Sequence, residues 1–225
     1  MKLTNIITGM LLLAAPCASG QQTAPQDAQP VHTATIYKKG DNGFDTYRIP
    51  ATVRTKKGTV LAFAEARKHS RSDTGDIDLV LRRSTDGGRT WGDIITVWDD
   101  AGNVCGNPAP VVDRETGRIL LLSTWNDGTD HEKDIHARTA KDTRRVFVLY
   151  SDDDGLTWSS PREITPSVKR EDWTWYATGP CHAIQLQKGR HKGRIVVSCN
   201  HGLFKDGKGA GSYSCLLYTS PRPRD

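Results

Sequence analysis

The sequence predicts an all-β chain arranged as a radial array of small antiparallel sheets, a β-propeller. Three observations point there. Beyond Val31, short apolar runs alternate with turn signals rich in Gly, Pro, Asn and Asp. No window of helical length keeps a 3.6-residue apolar period. A pattern of the form S-x-D-x-G-x-T-W occurs twice, from Ser84 to Trp91 and from Ser151 to Trp158.

The N-terminus stands apart from this rhythm. Lys2 precedes an apolar core that includes Ile6, Ile7 and Leu11 to Ala15, and the small residues Ala18, Ser19 and Gly20 follow. This is the layout of a bacterial-type secretory signal cleaved after Gly20. Its core is too short to span a bilayer as a helix, and Pro16 directly before Cys17 disfavours a lipoprotein. Residues 21–32 are polar and proline-bearing and read as a linker. The fold is expected over 33–214, in an exported protein of the periplasm or the extracellular space.

The strands follow in order. Thr59 to Ala64 comes after a Lys56-Lys57-Gly58 turn, then Ile77 to Arg82, then Ile119 to Ser123 after Glu115-Thr116-Gly117-Arg118. Arg145 to Tyr150, Ala183 to Leu186 and Ile195 to Ser198 continue the series. Glycine-headed turns before Val60, Ile119 and Ile195 mark hairpins. The polar segment Asn126 to Arg144 interrupts the pattern and reads as a long solvated loop within one sheet. It carries Asp127, Asp130, His131, Asp134 and His136 without a tight ligand motif, so no metal is assigned to it.

Each copy of the repeated pattern follows a strand, Leu79 to Arg83 and Val146 to Tyr150. In such a turn the Asp accepts hydrogen bonds from nearby backbone and hydroxyl groups, Gly takes the positive φ and Trp packs beneath. Both copies are therefore read as structural. Asp152 to Gly155 has the look of a calcium loop but lacks the alternating ligands and the terminal Glu.

Composition narrows the function classes. The 225 residues are 36% hydrophobic and 25% charged, which argues against wholesale disorder. The net charge of +5 falls to +3 once Lys2 and the Arg222, Arg224, Asp225 end are set aside. So small and evenly spread an excess argues against a nucleic-acid partner and permits an anionic small substrate. Four cysteines follow the signal: Cys105, Cys181, Cys199 and Cys215. Their spacing fits no zinc pattern, and both disulfides and buried thiols are compatible with it.

The sharpest signals are local. Tyr47-Arg48-Ile49-Pro50 is followed by Glu65-Ala66-Arg67, by Ser72-Asp73-Thr74-Gly75-Asp76-Ile77-Asp78 and by the first repeated turn. Asn107-Pro108-Ala109-Pro110 and Thr178-Gly179-Pro180 come later. In this order the motifs resemble the bacterial exo-sialidases (neuraminidases), whose Asp boxes the two repeated turns match. The likeness runs from about Thr35 to Ser214.

The resemblance implies a six-bladed propeller of the sialidase type, and ~195 residues at about 40–50 per blade supply roughly its first four blades. It implies an exo-α-sialidase that releases terminal sialic acid from glycoproteins, glycolipids or oligosaccharides with retention, using no metal and no organic cofactor. Arg48 then matches one of three arginines that hold the substrate carboxylate, a task suited to a planar, permanently charged guanidinium. Arg67 matches an arginine near O4 of the sugar, and Asn107 a pocket position near the N-acetyl side. Asp73 matches the general acid/base, which protonates the departing oxygen and then activates water. Sialidases use a Tyr nucleophile in place of a second carboxylate.

Without the resemblance, Arg67 reads as a surface ion-pair partner of Glu65 or Asp73, and Asp73 as a turn residue. Asp76 and Asp78 read as structural polar positions. Trp125, Trp175 and Tyr176 fit either packing or an aglycone-lining role. The family's two further arginines, its Glu and its Tyr have no counterpart in this sequence. Leu216 to Asp225 ends in a Pro/Arg alternation foreign to what precedes it, so residues 215–225 are left out of the fold. On this reading the sequence is the N-terminal part of an enzyme and is inactive by itself. The alternative is a non-catalytic sialidase-like propeller that binds glycans, against which Arg48, Arg67 and Asp73 together argue.

Overall fold

Strands form where turn signals isolate the apolar runs. The computed structural model describes residues 32–218, Pro180 excepted; the signal-type segment, most of the linker and residues 219–225 lie outside the described residues. β1 (Thr46–Arg54), β2 (Val60–Arg67), β3 (Ile77–Ser84) and β4 (Ile95–Trp98) run as an antiparallel meander. β5 (Val104–Val112), β6 (Ile119–Asn126), β7 (Arg145–Ser151) and β8 (Arg162–Glu163) repeat it. A parallel pairing of Ile77 with Val104 links the two into one eight-stranded sheet.

A third group starts with β9 (Trp173–Thr178) and β10 (Ile184–Gln185), which lie end to end along β11 (Ile195–Lys205). On the other edge of β11, β12 (Lys208–Tyr218) carries the chain past the boundary expected at Ser214. The fold is mostly β, as expected, and no closed sheet forms among the described residues. Length suggested roughly four blades, and the described strands make two four-stranded groups and a third of three strand positions. The long connections before β7 and before β9 take up the difference. No helix among the described residues is long and apolar enough to cross a membrane.

The hairpin turns fall on the glycine signals: Gly58 N–H donates to Thr55 O at 3.0 Å and Gly117 N–H to Asp113 O at 2.8 Å. Between successive groups lie apolar cores. Leu61, Phe63, Leu79, Leu81, Leu121 and Leu149 fill the first, and Val111, Leu122, Val146, Tyr176 and Val197 the second. Cys105 is a buried free thiol, Cys181 an exposed one, and Cys199 is buried.

The Asn126 to Arg144 segment is more ordered than a solvated loop. It holds α1 (Glu132–Ala137), too short to display a helical period, with Ile135 buried. Buried Asp130 accepts the backbone N–H groups of Lys141 (2.9 Å) and Asp142 (3.0 Å). Asp127 accepts from Thr129, and His136 shares a hydrogen bond with Thr174. Among the described residues no three His, Cys, Asp or Glu side chains are placed to hold a metal. A second short helix, α2 (Thr165–Val168), follows β8.

Both repeated turns close as their sequence requires. Asp86 accepts from Ser84 Oγ (2.7 Å), Arg89 N (3.0 Å), Thr90 N (2.9 Å) and Thr90 Oγ1 (2.6 Å). Asp153 takes the same set from Ser151, Leu156 and Thr157. These donors, Thr90 foremost, hold the Asp86 carboxyl well below the usual carboxylate range.

The second turn also ties two groups together. Asp154 Oδ2 accepts from Thr59 Oγ1 (2.5 Å) and Arg83 Nη2 (3.0 Å), and Trp158 meets Phe63 edge to face at 5.6 Å. Gly155, at φ 83°, sits against the first core, where a Cβ would stand 3.1 Å from Leu61 Cδ1. A Cβ on Gly88, at φ 94°, would meet nothing closer than Trp91 at 3.8 Å. An alanine at either site carries the left-handed strain of about 1–2 kcal/mol. Only at Gly155 does overpacking add a further ~1–3 kcal/mol. Gly155→Ala is expected to lower the urea midpoint clearly more than Gly88→Ala, and equal shifts would contradict the packing role.

One carboxyl is buried at odds with its charge. Asp78 on β3 is 4% exposed, and its Oδ1 has no hydrogen-bond partner. Burial, reinforced by the Asp99 and Asp76 carboxylates, pushes its pKa up to about 7. Here the folded state binds the proton more tightly than the unfolded chain does. Its contribution therefore lowers stability as pH rises from 3.8 towards about 7. Asp78→Asn is expected to gain at least about 1 kcal/mol on its parent between pH 4 and pH 8, read by denaturant titration at both. A stability difference that does not vary with pH would sink this account.

Candidate active site

One face of β1 and β2 supplies the charged groups. Glu65 and Arg67, two apart on β2, project to the same side, and Arg48 on β1 stands opposite Glu65 in register. Both faces of β2 are buried from Leu61 to Arg67. A guanidinium survives there only when its donors are paired.

Arg67 meets that condition. Its Nε and Nη2 donate to Glu65 Oε2 at 3.2 and 2.5 Å, and Nη1 donates to the carbonyls of Arg71 and Ser72, each at 2.7 Å. Nη2 also lies 2.7 Å from Asp73 Oδ1. The turn after β2 is thus wrapped onto Arg67, which delivers Asp73 to the exposed edge of the cluster. Arg48 Nη1 donates to the same Asp73 oxygen at 2.8 Å. Side-chain exposure rises from 3% at Arg67 to 38% at Arg48 and 63% at Asp73. The cluster has a buried floor and an open rim.

Two strand irregularities aim these groups. β1 shifts register between Arg48 and Ala51, with Ile49 at φ 53°, and β5 shifts between Gly106 and Ala109, with Asn107 at φ 53°. Such bulges bend a strand and redirect what it presents. The Asn107 N–H leaves the ladder and donates to Glu65 Oε1 at 2.9 Å. Its freed carbonyl accepts Thr178 Oγ1 at 2.6 Å. Gly106 leaves room for the Glu65 carboxylate, because a Cβ there would stand 2.6 Å from Glu65 Oε1 and would push that carboxylate aside.

The residues singled out in the sequence therefore converge. Arg48 and Arg67 both touch Asp73, and Asn107 joins them through Glu65. Arg67 does pair with both Glu65 and Asp73, but its own side chain is buried and not on the surface. Asp76 stays outside the cluster, 3.5 Å from Lys68 Nζ. Tyr176 belongs to the second core. Trp125 donates to Asp100 and packs under Arg145, so its role is packing.

Sequence reading gave Glu65 only as an ion-pair partner; its two-residue spacing from Arg67 in a strand was the available signal. Arg144 was missed. It is 3% exposed, donates to the side-chain oxygens of Asn126 and Asn107, and lies over the Trp175 ring, 4.2 Å from its centroid. Burial draws its pKa down to about 10 against the opposing pull of Glu65. Nothing local marks it, since Arg144-Arg145 at the end of a polar segment looks like a solvated pair.

Comparison with known proteins agrees with this geometry. The chain matches the BNR repeat-like domain over residues 58–223. It is 37% identical over 164 residues to an exo-alpha-sialidase of Aspergillus fumigatus, covering 65% of this chain and 40% of that protein. Against an exo-alpha-sialidase of Arthroderma benhamiae the identity is 36% over 205 residues, covering 79% and 49%. The solved structure of Hadza microbial sialidase Hz136 aligns with a TM-score of 0.68 at 27% identity, over 80% of this chain and 36% of that one. The chain spans less than half the length of these relatives. Agreement of that extent shows the family: the chain belongs to the sialidases with BNR repeats.

Proposed function

We propose that the full-length protein is an exported exo-α-sialidase of six-bladed propeller fold. It is a retaining glycoside hydrolase that removes terminal sialic acid from glycoproteins, glycolipids or oligosaccharides in the periplasm or outside the cell. The observation that carries this reading is the Asp73 carboxylate resting on two guanidinium groups at the exposed edge of the cluster. Two permanent positive charges converge where an anionic sugar would be held, and a carboxyl able to shuttle a proton stands between them.

Each residue takes a role its surroundings permit. Arg48, partly exposed, offers its planar fork to the substrate carboxylate. That carboxylate displaces Asp73 from Arg48 and leaves it on the rim, facing the glycosidic oxygen. Asp73 gives its proton to the departing oxygen and then takes one from the attacking water. Its segment is held on both sides, by Arg67 on the Arg71 and Ser72 carbonyls and by Gly75 N–H on Gly128 O at 2.8 Å, which keeps Asp73 at the rim. Arg67, locked to Glu65, stays in place on the O4 side of the sugar, and Asn107 faces the 5-acylamino side. The nucleophile on this reading is a tyrosine, a role to which no residue of this sequence is assigned.

In the full-length protein, Asp73→Asn is expected to lower kcat on natural sialosides by ~10²–10⁴-fold with ligand binding retained. Unchanged turnover would refute the assignment, and a parent protein that binds sialosides without hydrolysing them would favour the glycan-binding alternative. Gly106→Ala tests the floor of the cluster. By pushing Glu65, and through it Arg67 and Asp73, it is expected to lower kcat/KM by ~10²-fold while the protein still folds. Wild-type kinetics in that variant would show that the floor does not set the rim.

A further inference from the structure

Asn107 carries information that its sequence position does not. Its Oδ1 accepts hydrogen bonds from Thr124 Oγ1 (3.0 Å) and from Arg144 Nη2. A guanidinium has donors and no acceptor, so the carboxamide atom facing Arg144 must be the oxygen. The NH2 group is thereby turned the opposite way, and no hydrogen bond among the described residues uses it. A residue able to present either a donor or an acceptor is held as a donor.

The device that holds it is itself immobile. Arg144 is 3% exposed, its second arm donates to Asn126 Oδ1, and Trp175 covers its plane. Thr124 is fully buried on β6. On the far side of Asn107, its backbone N–H is fixed by Glu65 and its carbonyl by Thr178. Backbone and carboxamide are therefore pinned separately, by groups from β2, β6, β9 and the residue preceding β7. Lysine could not replace Arg144, because a single ammonium cannot span the Asn107 and Asn126 oxygens with a planar fork.

We infer that Arg144, with Thr124, is a positioning residue that fixes the Asn107 carboxamide as a hydrogen-bond donor and so selects substrates carrying an acyl oxygen at C5. The inference rests on the proposed placement of Asn107 beside the 5-acylamino group. It deepens that reading by naming what sets the polarity of the pocket wall.

The test is a ratio of kcat/KM in the full-length protein for two aryl sialosides, one with a 5-acetamido and one with a 5-hydroxyl group. Asn107→Ala, Arg144→Lys and Thr124→Val are compared with the parent, and each fold is checked by circular dichroism and urea midpoint. Arg144→Lys is expected to lower the acetamido-over-hydroxyl ratio by about tenfold, and Thr124→Val by about threefold in the same direction. A merely structural role would depress both substrates alike and leave the ratio unchanged. A folded Arg144→Lys protein with the parent ratio overturns the inference. Should Arg144→Lys fail to fold, the near-isosteric Thr124→Val decides the matter by the same criterion. A parent-like ratio in Asn107→Ala refutes the placement of Asn107 instead, and the inference with it. If the parent hydrolyses neither sialoside, the proposed activity fails. The ratio of calorimetric affinities for the two free sugars then tests the donor lock by itself.

Discussion

Arg67 and Glu65 lie together inside the protein, with side chains 3% and 4% exposed, and much of the local structure is arranged to make that possible. A buried ion pair is a poor source of stability in itself, since desolvation offsets most of the attraction. Breaking one by removing a partner nevertheless costs roughly 3–5 kcal/mol. The pair therefore imposes conditions on its surroundings. The carbonyls of Arg71 and Ser72 must turn inward to meet Arg67, which fixes the path of the segment that ends in Asp73. The Asn107 N–H must leave its strand to reach Glu65. Position 106 must leave the Glu65 carboxylate room, as glycine does. Each condition is structural in origin, and each sets the position of a group at the rim.

The first strands of the three groups share a further feature. β1 shifts register around Ile49, directly before Pro50, and β5 around Asn107, directly before Pro108. In the third group β9 gives way to β10 across Gly179, at φ 76° and followed in sequence by Pro180. Proline removes a donor from the ladder, so pairing is interrupted at comparable points in all three. At Ile49 the left-handed backbone is held by a β-branched residue, which a regular strand would not tolerate. Strain of this kind persists only where the surrounding structure overdetermines it. Repeated sheets would present equivalent side chains, and the interruptions let each first strand present a different one.

Legibility in the sequence followed the range of the interactions. The repeated turns could be read residue by residue, because Ser84, Asp86, Gly88 and Thr90 complete their hydrogen bonds within the motif. Hairpins at Gly58 and Gly117 were legible for the same reason. Helix α1 was not, since one and a half turns leave no period to detect. Arg48, Arg67, Asp73 and Asn107 were recognised by motif, but not the burial of Arg67, which depends on how β1, β2 and β5 come together. Arg144 is the extreme case. Its partners Asn107, Asn126 and Trp175 are spread over three strands, and only the folded chain shows that a charged residue ending a polar segment points into the core. The Asp154 bridge to Thr59 and Arg83 was equally hidden, because it joins residues far apart in sequence.

The two ion pairs made by Asp73 differ in kind from the one beneath them. Asp73 and Arg48 are 63% and 38% exposed, so their contact is screened by solvent and is worth about 0–1 kcal/mol. Asp73 also meets both arginines through one oxygen, Oδ1, which leaves the bidentate capacity of Arg48 unused. An incoming carboxylate that engages the Arg48 fork with both oxygens exchanges a weak contact for a stronger one. Neutral ligands gain nothing from the exchange, because they would leave Arg48 without a counterion. Counted formally, Arg48, Arg67 and Arg144 exceed Glu65 and Asp73 by one positive charge, so the cluster has room for one added anion. On the proposed reading Asp73 acts as a removable counterion over a fixed one, and a negatively charged ligand that takes its place on Arg48 leaves it held by Arg67 alone.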